Sequence, residues 1–386
     1  MSKPTIAIIA SGWGGYNLAH SLNTRNYNVV VATSSITPLL GSTACGLFNS
    51  QLAQEPIRRK HLDVQYKIIL CQPAYDSLKN LQFELSYDTV HAFMVKNVND
   101  ANAIRDKINE NLEIASLPTI GEDQQRKLLH ITIVGGGPTG IEIAAELTDL
   151  FEGDLLDLYP HLRGKASVTV HDVAPNILAP FDRKLSEYAQ KSLQKHKVEI
   201  KVNSHIVNVT EDTIETREDG KLGYGLLIWA TGNKQRPLVD QLNVMKSSQG
   251  LKRILTDDRL CVLGTNGAII PDAYAIGDAA DIDNASLPTT AEVAVQKATY
   301  LARASNSAAS GQTIEPFTYH QRPLVTYTGA SDGVIMGKRG HEYTGYGAWL
   351  SWRSGNFFWT RSWKRKFMMV LAWFMDWVDG REMARF

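Results

Sequence analysis

The chain has 386 residues, 44% of them apolar and 21% charged, with 40 basic and 40 acidic side chains. That length exceeds a single small domain, and the balanced charge offers no dominant surface for nucleic acid or another polyanion. Cys45, Cys71 and Cys261 lie far apart with no CxxC pair, which argues against a redox disulfide, a zinc site and a secreted disulfide scaffold; no metal is expected, and a reducing compartment is the default.

From the N-terminus, Thr5–Ile9 reads as an apolar strand. Only Met1–Pro4 precede it, so neither a signal peptide nor an Arg-rich leader is expected. The strand enters Ala10-Ser-Gly-Trp-Gly-Gly15, a helix follows through Leu22, and a strand Asn28–Ala32 completes a βαβ unit. Ala101, Ile104, Ile108, Leu112 and Ala115 share one helical face, which predicts a helix from about Asn99, stopped near Pro118 and bridging two domains. The first pattern then repeats. Ile131–Val134 leads into Gly135-Gly-Gly-Pro-Thr-Gly140, a helix through Leu150 and a strand Ser167–Asp172. Strands at Val198–Val202 and Leu226–Ala230 complete this inserted domain before Thr231-Gly232. Ala273-Tyr-Ala-Ile-Gly-Asp278 reads as a buried strand ending in a polar turn, followed by a helix from about Ala291 to Ala304.

These elements predict an α/β protein with two Rossmann-like dinucleotide-binding domains and a C-terminal amphipathic membrane-docking segment. The expected boundaries are 1–115 and 236–320 for a two-part first domain, 116–235 for a second domain inserted into it, and 321–386 for the C-terminal segment. No run reaches the ~20 apolar residues a spanning helix requires.

Gly135, Gly137 and Gly140 fit G-x-G-x-x-G between strand and helix: a tight turn, close backbone approach to pyrophosphate, and close helix packing. Pyrophosphate would meet the helix N-terminus, with Pro138 and Thr139 in its first turn. Asp172, ending the next strand, is the candidate ligand for the adenosine ribose diol, which favours NADH over NADPH. The first motif is weaker, because Ala10 replaces its first glycine and Ala32-Thr-Ser-Ser35 offers no acid. Its support is Gly277-Asp278, a carboxylate suited to a ribityl hydroxyl beside a helix N-terminus; a plain strand-end turn is the alternative.

These residues resemble the type II (alternative) NADH:quinone oxidoreductases, especially the fungal and plant branch. The resemblance rests on Ser11-Gly-Trp-Gly-Gly15, Thr37-Pro-Leu-Leu40, Glu55-Pro-Ile57, Gly135-Gly-Gly-Pro-Thr-Gly-Ile-Glu142, Ala230-Thr-Gly232, Ala275-Ile-Gly-Asp278, Pro288-Thr-Thr-Ala291 and the tail Trp349–Phe386. It implies hydride transfer from NADH to FAD and two electrons onward to a quinone without proton pumping. Mapped onto this sequence, it implies flavin contacts at Ser11, Gly12, Trp13, Gly14, Gly15, Thr37, Pro38, Leu39, Gly277, Asp278 and Ala291. The NADH contacts it implies are Gly135, Gly137, Pro138, Thr139, Gly140, Asp172, Ala230, Thr231 and Gly232. Glu142 stands where the family places a carboxylate near nicotinamide and quinone; the alternative is an ordinary acid in the first turn of a helix. Gln296 matches the second glutamine of the family's A-Q-x-x-x-Q pattern, and Glu292 replaces the first, as a proton donor near the quinone, as a sign of a different acceptor, or as a solvated helix residue. The first domain departs from the family: the A-T-G segment and the G-I-P-G turn before the bridging helix are missing. Cys45, near the flavin by resemblance, reads as a buried small apolar residue.

In the tail, six of the eight tryptophans fall at 349, 352, 359, 363, 373 and 377. Between Ser351 and Phe386 seven bases face three acids, and aromatics with basic residues suit a lipid headgroup interface. Phe367–Met375 is apolar but too short to span, so a helix lying in the membrane plane is expected, with packing on the core or on a second subunit as the alternative. By resemblance the protein is a homodimer on a membrane, the mitochondrial inner membrane, with a cytoplasmic location also open. Two other readings stay open: reduction of a soluble small-molecule acceptor, and a relative that binds NADH without flavin.

Overall fold

A computed structural model describes residues 3–9, 12–32, 66–70, 91–95, 98–155, 158–232, 237–248, 250–337, 341–359 and 362–379. Ser11, Thr37, Pro38, Leu39 and Cys45 lie outside the described residues, as do Ala10 and Glu55-Pro-Ile57. In chain order the elements are β1 (Thr5–Ile9), α1 (Trp13–Ser21), β2 (Asn28–Ala32), β3 (Tyr66–Leu70), β4 (Phe93–Met94), α2 (Val98–Ala115), α3 (Glu122–Leu128), β5 (His130–Val134) and α4 (Pro138–Leu150). Then come β6 (Ser167–His171), α5 (Arg183–Lys195), β7 (Val198–Lys201), β8 (Ile206–Val209), β9 (Thr213–Thr216), β10 (Gly220–Gly223), β11 (Leu226–Trp229), α6 (Pro237–Gln241), β12 (Ile254–Thr256), β13 (Cys261–Leu263), β14 (Ile269–Ala275) and β15 (Ala280–Ile282). The chain continues with α7 (Ala291–Ala308), β16 (Leu324–Gly329), β17 (Asp332–Met336), β18 (Glu342–Thr344), α8 (Tyr346–Trp359) and α9 (Trp363–Asp379).

Contacts divide the chain into two compact units. The first comprises residues 1–42, 53–79 and 233–321, and the second 43–52, 80–232 and 322–386. The first holds a seven-stranded sheet in the order β15-β12-β13-β14-β3-β1-β2, with β1 parallel to both β2 and β3. Helices α1 and α7 pack together on it over Ile6, Ile8, Leu18, Ile276, Ala298 and Leu301. At Gly14 of α1 an added Cβ would press on Ile276 Cδ1 at 3.3 Å and meet Ala294 O of α7 at 3.7 Å. The Tyr27 hydroxyl donates to Ser305 O, fixing the entry to β2 against the end of α7.

The second unit is built on a five-stranded parallel sheet, β4-β11-β5-β6-β7. Strands covered on both faces read as apolar runs, which is why Ile131–Val134 and Leu226–Ile228 carried so clear a signal. Helix α4 is buried almost all round, at Ile141, Ile143, Ala144, Ala145, Leu147 and Leu150. One side meets the sheet, and β16 covers the other. The α2 face predicted as apolar, from Ala101 to Ala115, is buried. This helix, expected to bridge the domains, belongs by its contacts to the second unit, where Asn111 Nδ2 donates to Leu128 O and Gly225 O.

Two antiparallel sheets of the second unit had no counterpart among the expected elements: β10-β9-β8, and β16-β17-β18 at the start of the C-terminal segment. Ala330 and Ser331, both at positive φ, join β16 to β17, the backbone a two-residue hairpin of matching twist requires. Asp149 of α4 accepts from Ala330 N at 2.9 Å, and Asp332 accepts from the hydroxyls of Tyr188 and Ser192 on α5. The hairpin is therefore pinned to two helices of the nucleotide fold. No helix among the described residues is long and apolar enough to cross a membrane.

Candidate nucleotide and electron-transfer sites

In the second unit the glycine loop connects β5 to α4. Gly135 sits at φ 115°, and a Cβ there would lie 2.9 Å from Thr231 Cβ and 3.2 Å from Ala230 C. The loop and the Ala230-Thr231-Gly232 segment thus touch, and a side chain at 135 would part them. A Cβ on Gly140 would lie 1.9 Å from Gly135 O, so only glycine lets α4 start against the strand. Gly137 faces open space, with no heavy atom within 4 Å of its notional Cβ. It also caps α4, no side chain bonds the free N–H groups of the helix start, and Pro138 occupies the first turn. An open glycine before unsatisfied helical N–H groups is the chemistry a pyrophosphate requires, and the residues here fit one.

Asp172 adjoins this loop: Oδ2 accepts from Gly136 N at 2.5 Å and Oδ1 from Ala174 N at 2.7 Å. Each carboxylate oxygen keeps acceptor capacity for a ribose hydroxyl, but the side chain also holds the glycine loop closed. Sequence reasoning had assigned it only the ribose. Next to it His171 is buried, with Nδ1 bonded to Ser204 Oγ at 2.9 Å. Burial first, and the Lys201 charge second, push its pKa down to about 4, so the ring is neutral near pH 7. A single histidine at a strand end gave no sequence signal.

Glu142 is 1% exposed and lies beyond the first turn of α4. The alternative of an ordinary acid in the first turn of the helix is therefore corrected. Its Oε1 accepts from Trp352 Nε1 of α8 at 3.0 Å. The Trp352 indole stacks on Tyr327 of β16, with centroids 4.9 Å apart and planes at 20°. The Tyr327 hydroxyl in turn donates to Asp149 Oδ2 of α4, and burial, more than that neighbouring carboxylate, drives the phenol pKa far above its ordinary value. Trp352, counted from sequence among the headgroup-facing aromatics, is 6% exposed, and this too is a correction: it packs inward on the second unit. Glu142 and Trp352 are 210 positions apart, beyond any local pattern.

In the first unit Gly12 caps α1 in extended conformation with no side-chain bond, Trp13 opens the helix, and Gly14 and Gly15 are buried. Gly277, two residues beyond β14, takes φ 77° and begins the short turn Gly277–Ala279 before β15, with Asp278 at its middle. Thr290 caps α7, its hydroxyl accepting from Val293 N, so that Ala291 and Glu292 form the first turn. An uncapped α1 start and an acid at the adjoining strand end fit a flavin dinucleotide, with pyrophosphate at Gly12–Gly15 and a ribityl hydroxyl at Asp278. Glu292 and Gln296 are brought together: Gln296 Nε2 donates to Glu292 Oε1 at 2.7 Å and to His320 O at 2.8 Å, and its Oε1 accepts from His320 N. The Gln296 amide thereby ties α7 to the chain at His320.

The neighbouring Lys297, which sequence reasoning passed over, is 1% exposed. Desolvation, outweighing the attraction of Asp281, pulls its pKa down to about 8. Asp281 is already paired with Arg253 at 2.7 Å. Among the described residues no group of three or more acids, histidines and cysteines is placed to hold a metal ion.

Residues 67–298 match the family model of the pyridine nucleotide-disulphide oxidoreductases, more than half of the chain. The chain belongs to that family. Within the pyridine nucleotide-disulphide oxidoreductases it stands with the type II NADH dehydrogenases. It is 28% identical to a probable NADH dehydrogenase of Dictyostelium discoideum, with 99% of this chain and 91% of that protein covered. It is 33% identical to the mitochondrial external alternative NAD(P)H-ubiquinone oxidoreductase B4 of Arabidopsis thaliana, where the match covers 73% of this chain and 55% of that one. The fold is that of a Plasmodium falciparum NDH2 solved with NADH, at TM-score 0.86 and 21% identity over the whole of both chains.

Proposed function

We propose that this chain passes two electrons from NADH, through a bound FAD, to a quinone. The observation that carries the reading is the presence in each unit of a strand, a glycine turn and a helix whose N-terminus no side chain caps, with an acid at a strand end nearby: Asp172 in one unit and Asp278 in the other. Two such cradles in one chain call for two dinucleotides, and family membership supports a nicotinamide and a flavin as the pair. Bound FAD supplies acceptance of hydride from the nicotinamide and release of electrons to a second acceptor.

The protein's own residues bind and orient. Gly135, Gly137, Pro138, Thr139 and Gly140 hold the NADH pyrophosphate, Asp172 fixes the ribose diol, and Ala230, Thr231 and Gly232 form the adjacent wall. Gly12, Trp13, Gly14 and Gly15 hold the flavin pyrophosphate, Asp278 its ribityl chain and Ala291 the helix start. Glu142 is the buried carboxylate assigned to proton handling. Glu292, linked to Gln296, is assigned to the acceptor side, where a carboxyl group in place of an amide adds a side chain able to take up and give a proton.

Membrane contact belongs to the same reading. On α9, Trp363, Phe367, Val370, Leu371, Phe374 and Val378 are 41% to 80% exposed at helical spacing, an apolar stripe facing away from the protein. Arg353 lies over the Trp373 ring at 4.6 Å and the Trp349 ring at 5.2 Å, fastening α9 to α8. This stripe supports docking in the plane of a membrane, and the mitochondrial relatives support a mitochondrial one. A homodimer through the C-terminal segment completes the proposal. Steady-state assay tests it: NADH oxidation dependent on a short-chain quinone is expected, and turnover only with hydrophilic non-quinone acceptors would replace it by a soluble-acceptor enzyme.

A further inference from the structure

Helix α4 carries Glu142, Glu146 and Asp149, whose spacing of four and three places them on one face. Both ends of that row are met by the C-terminal segment: Glu142 by the Trp352 indole, Asp149 by the Tyr327 hydroxyl and Ala330 N. We propose that Trp352 is the positioning residue for Glu142, its indole N–H aiming the buried carboxylate, with Tyr327 as the brace that fixes the indole plane. The proposal rests on the assignment of Glu142 to the reaction given above.

An indole N–H only donates, so at 3.0 Å it turns a lone pair of Oε1 toward itself and fixes the plane of the carboxyl group. The geometry is over-determined. Tyr327 lies face to face with the indole, and its own hydroxyl is held by Asp149 on the same helix that carries Glu142. Trp352 and Tyr327 are 6% and 4% exposed, so neither ring is free to swing into solvent. The circuit closes from α4, through β16 and α8, back to α4. Accordingly the C-terminal segment, whose α9 face was read as a docking surface, also completes the environment of a buried acid in the nucleotide fold.

The test uses full-length protein loaded with FAD. An infrared difference between the native protein and E142Q identifies the carboxyl or carboxylate band of Glu142. W352F keeps an aromatic ring for the Tyr327 stack and deletes the donor together with part of the indole's volume. We expect it to shift that band, to lower kcat with a short-chain quinone about tenfold, as loss of one buried hydrogen bond implies, and to leave KM for NADH unchanged. The E142Q/W352F double variant should turn over no more slowly than E142Q alone. An unmoved band in W352F, or additive losses in the double variant, overturns the proposal. Should W352F fail to fold, Y327F keeps both rings and carries the same test: a displaced Glu142 band supports the brace and an unmoved one refutes it. Full quinone turnover by E142Q would instead remove Glu142 from the reaction, an outcome distinct from failure of the contact, which the infrared band reads by itself.

Discussion

Replacing Lys297 with Met should stabilise the protein, and the gain should vanish at high pH. The ammonium is 1% exposed, its nearest hydrogen-bond partner is Ala280 O at 3.4 Å, and Asp281 is already paired with Arg253. Its pKa falls from 10.5 to about 8, a shift of about 2.5, so carrying the charge inside the fold costs about 3 kcal/mol relative to water. The folded pKa lies below the unfolded one. Below pH 8 both states are charged and the full penalty applies. Between about 8 and 10.5 the unfolded chain holds more protons than the folded one, so native stability rises with pH; above 10.5 neither state is charged. Met fills nearly the same volume without the charge. Urea unfolding of FAD-saturated native protein and K297M, from pH 7 to pH 10.5, should give a stability difference about 3 kcal/mol larger at the lower end. Two curves that stay parallel across that range would refute the reasoning, because they would mean that Lys297 is solvated or paired in the folded state.

Gly140→Ala places a Cβ 1.9 Å from Gly135 O, so NADH affinity should fall at least tenfold while flavin content is kept; isothermal titration and the visible spectrum read the two separately. Asp172→Asn should weaken NADH binding by roughly 1–3 kcal/mol and narrow the preference over NADPH, and since the carboxylate also holds Gly136 N, some loss with both nicotinamides is expected. Unchanged kinetics with both would remove the assignment. Deleting residues 362–386 should release the protein from liposomes and spare the flavin; vesicle binding that survives the deletion would place the docking surface elsewhere.

The backbone of the two nucleotide folds was legible because its determinants are local. Ile131–Val134 and Leu226–Ile228 are buried on both faces and so continuously apolar, and Gly135 and Gly140 announce a turn no other residue permits. The place of Asp172 at a strand end was legible for the same reason, although its grip on Gly136 N was not foreseen. The strands β16 and β17 were missed: Leu324–Gly329 mixes Thr and Tyr with Leu and Val, because Thr326 and Thr328 are wholly buried while Tyr327 reaches Asp149. Glu142 was located by resemblance, but its environment depends on Trp352, 210 positions away, and no window of sequence contains both. Composition suited the C-terminal tryptophans to a membrane interface, with packing on the core as the alternative. The structure divides them: Trp352 packs inward, and Trp363 is 80% exposed. Lys297 was invisible because nothing in Ala291–Ala308 says which side of that helix meets the sheet until the fold buries it.

The central claim is an electron path from a pyridine nucleotide through a flavin to a quinone, and anaerobic visible spectroscopy of the purified full-length chain tests it most directly. The account predicts a flavin band at about 450 nm, with one FAD per chain, that bleaches on addition of NADH and returns on addition of a short-chain quinone. A chain that stays colourless after reconstitution with FAD, or a band that NADH leaves untouched, would contradict it.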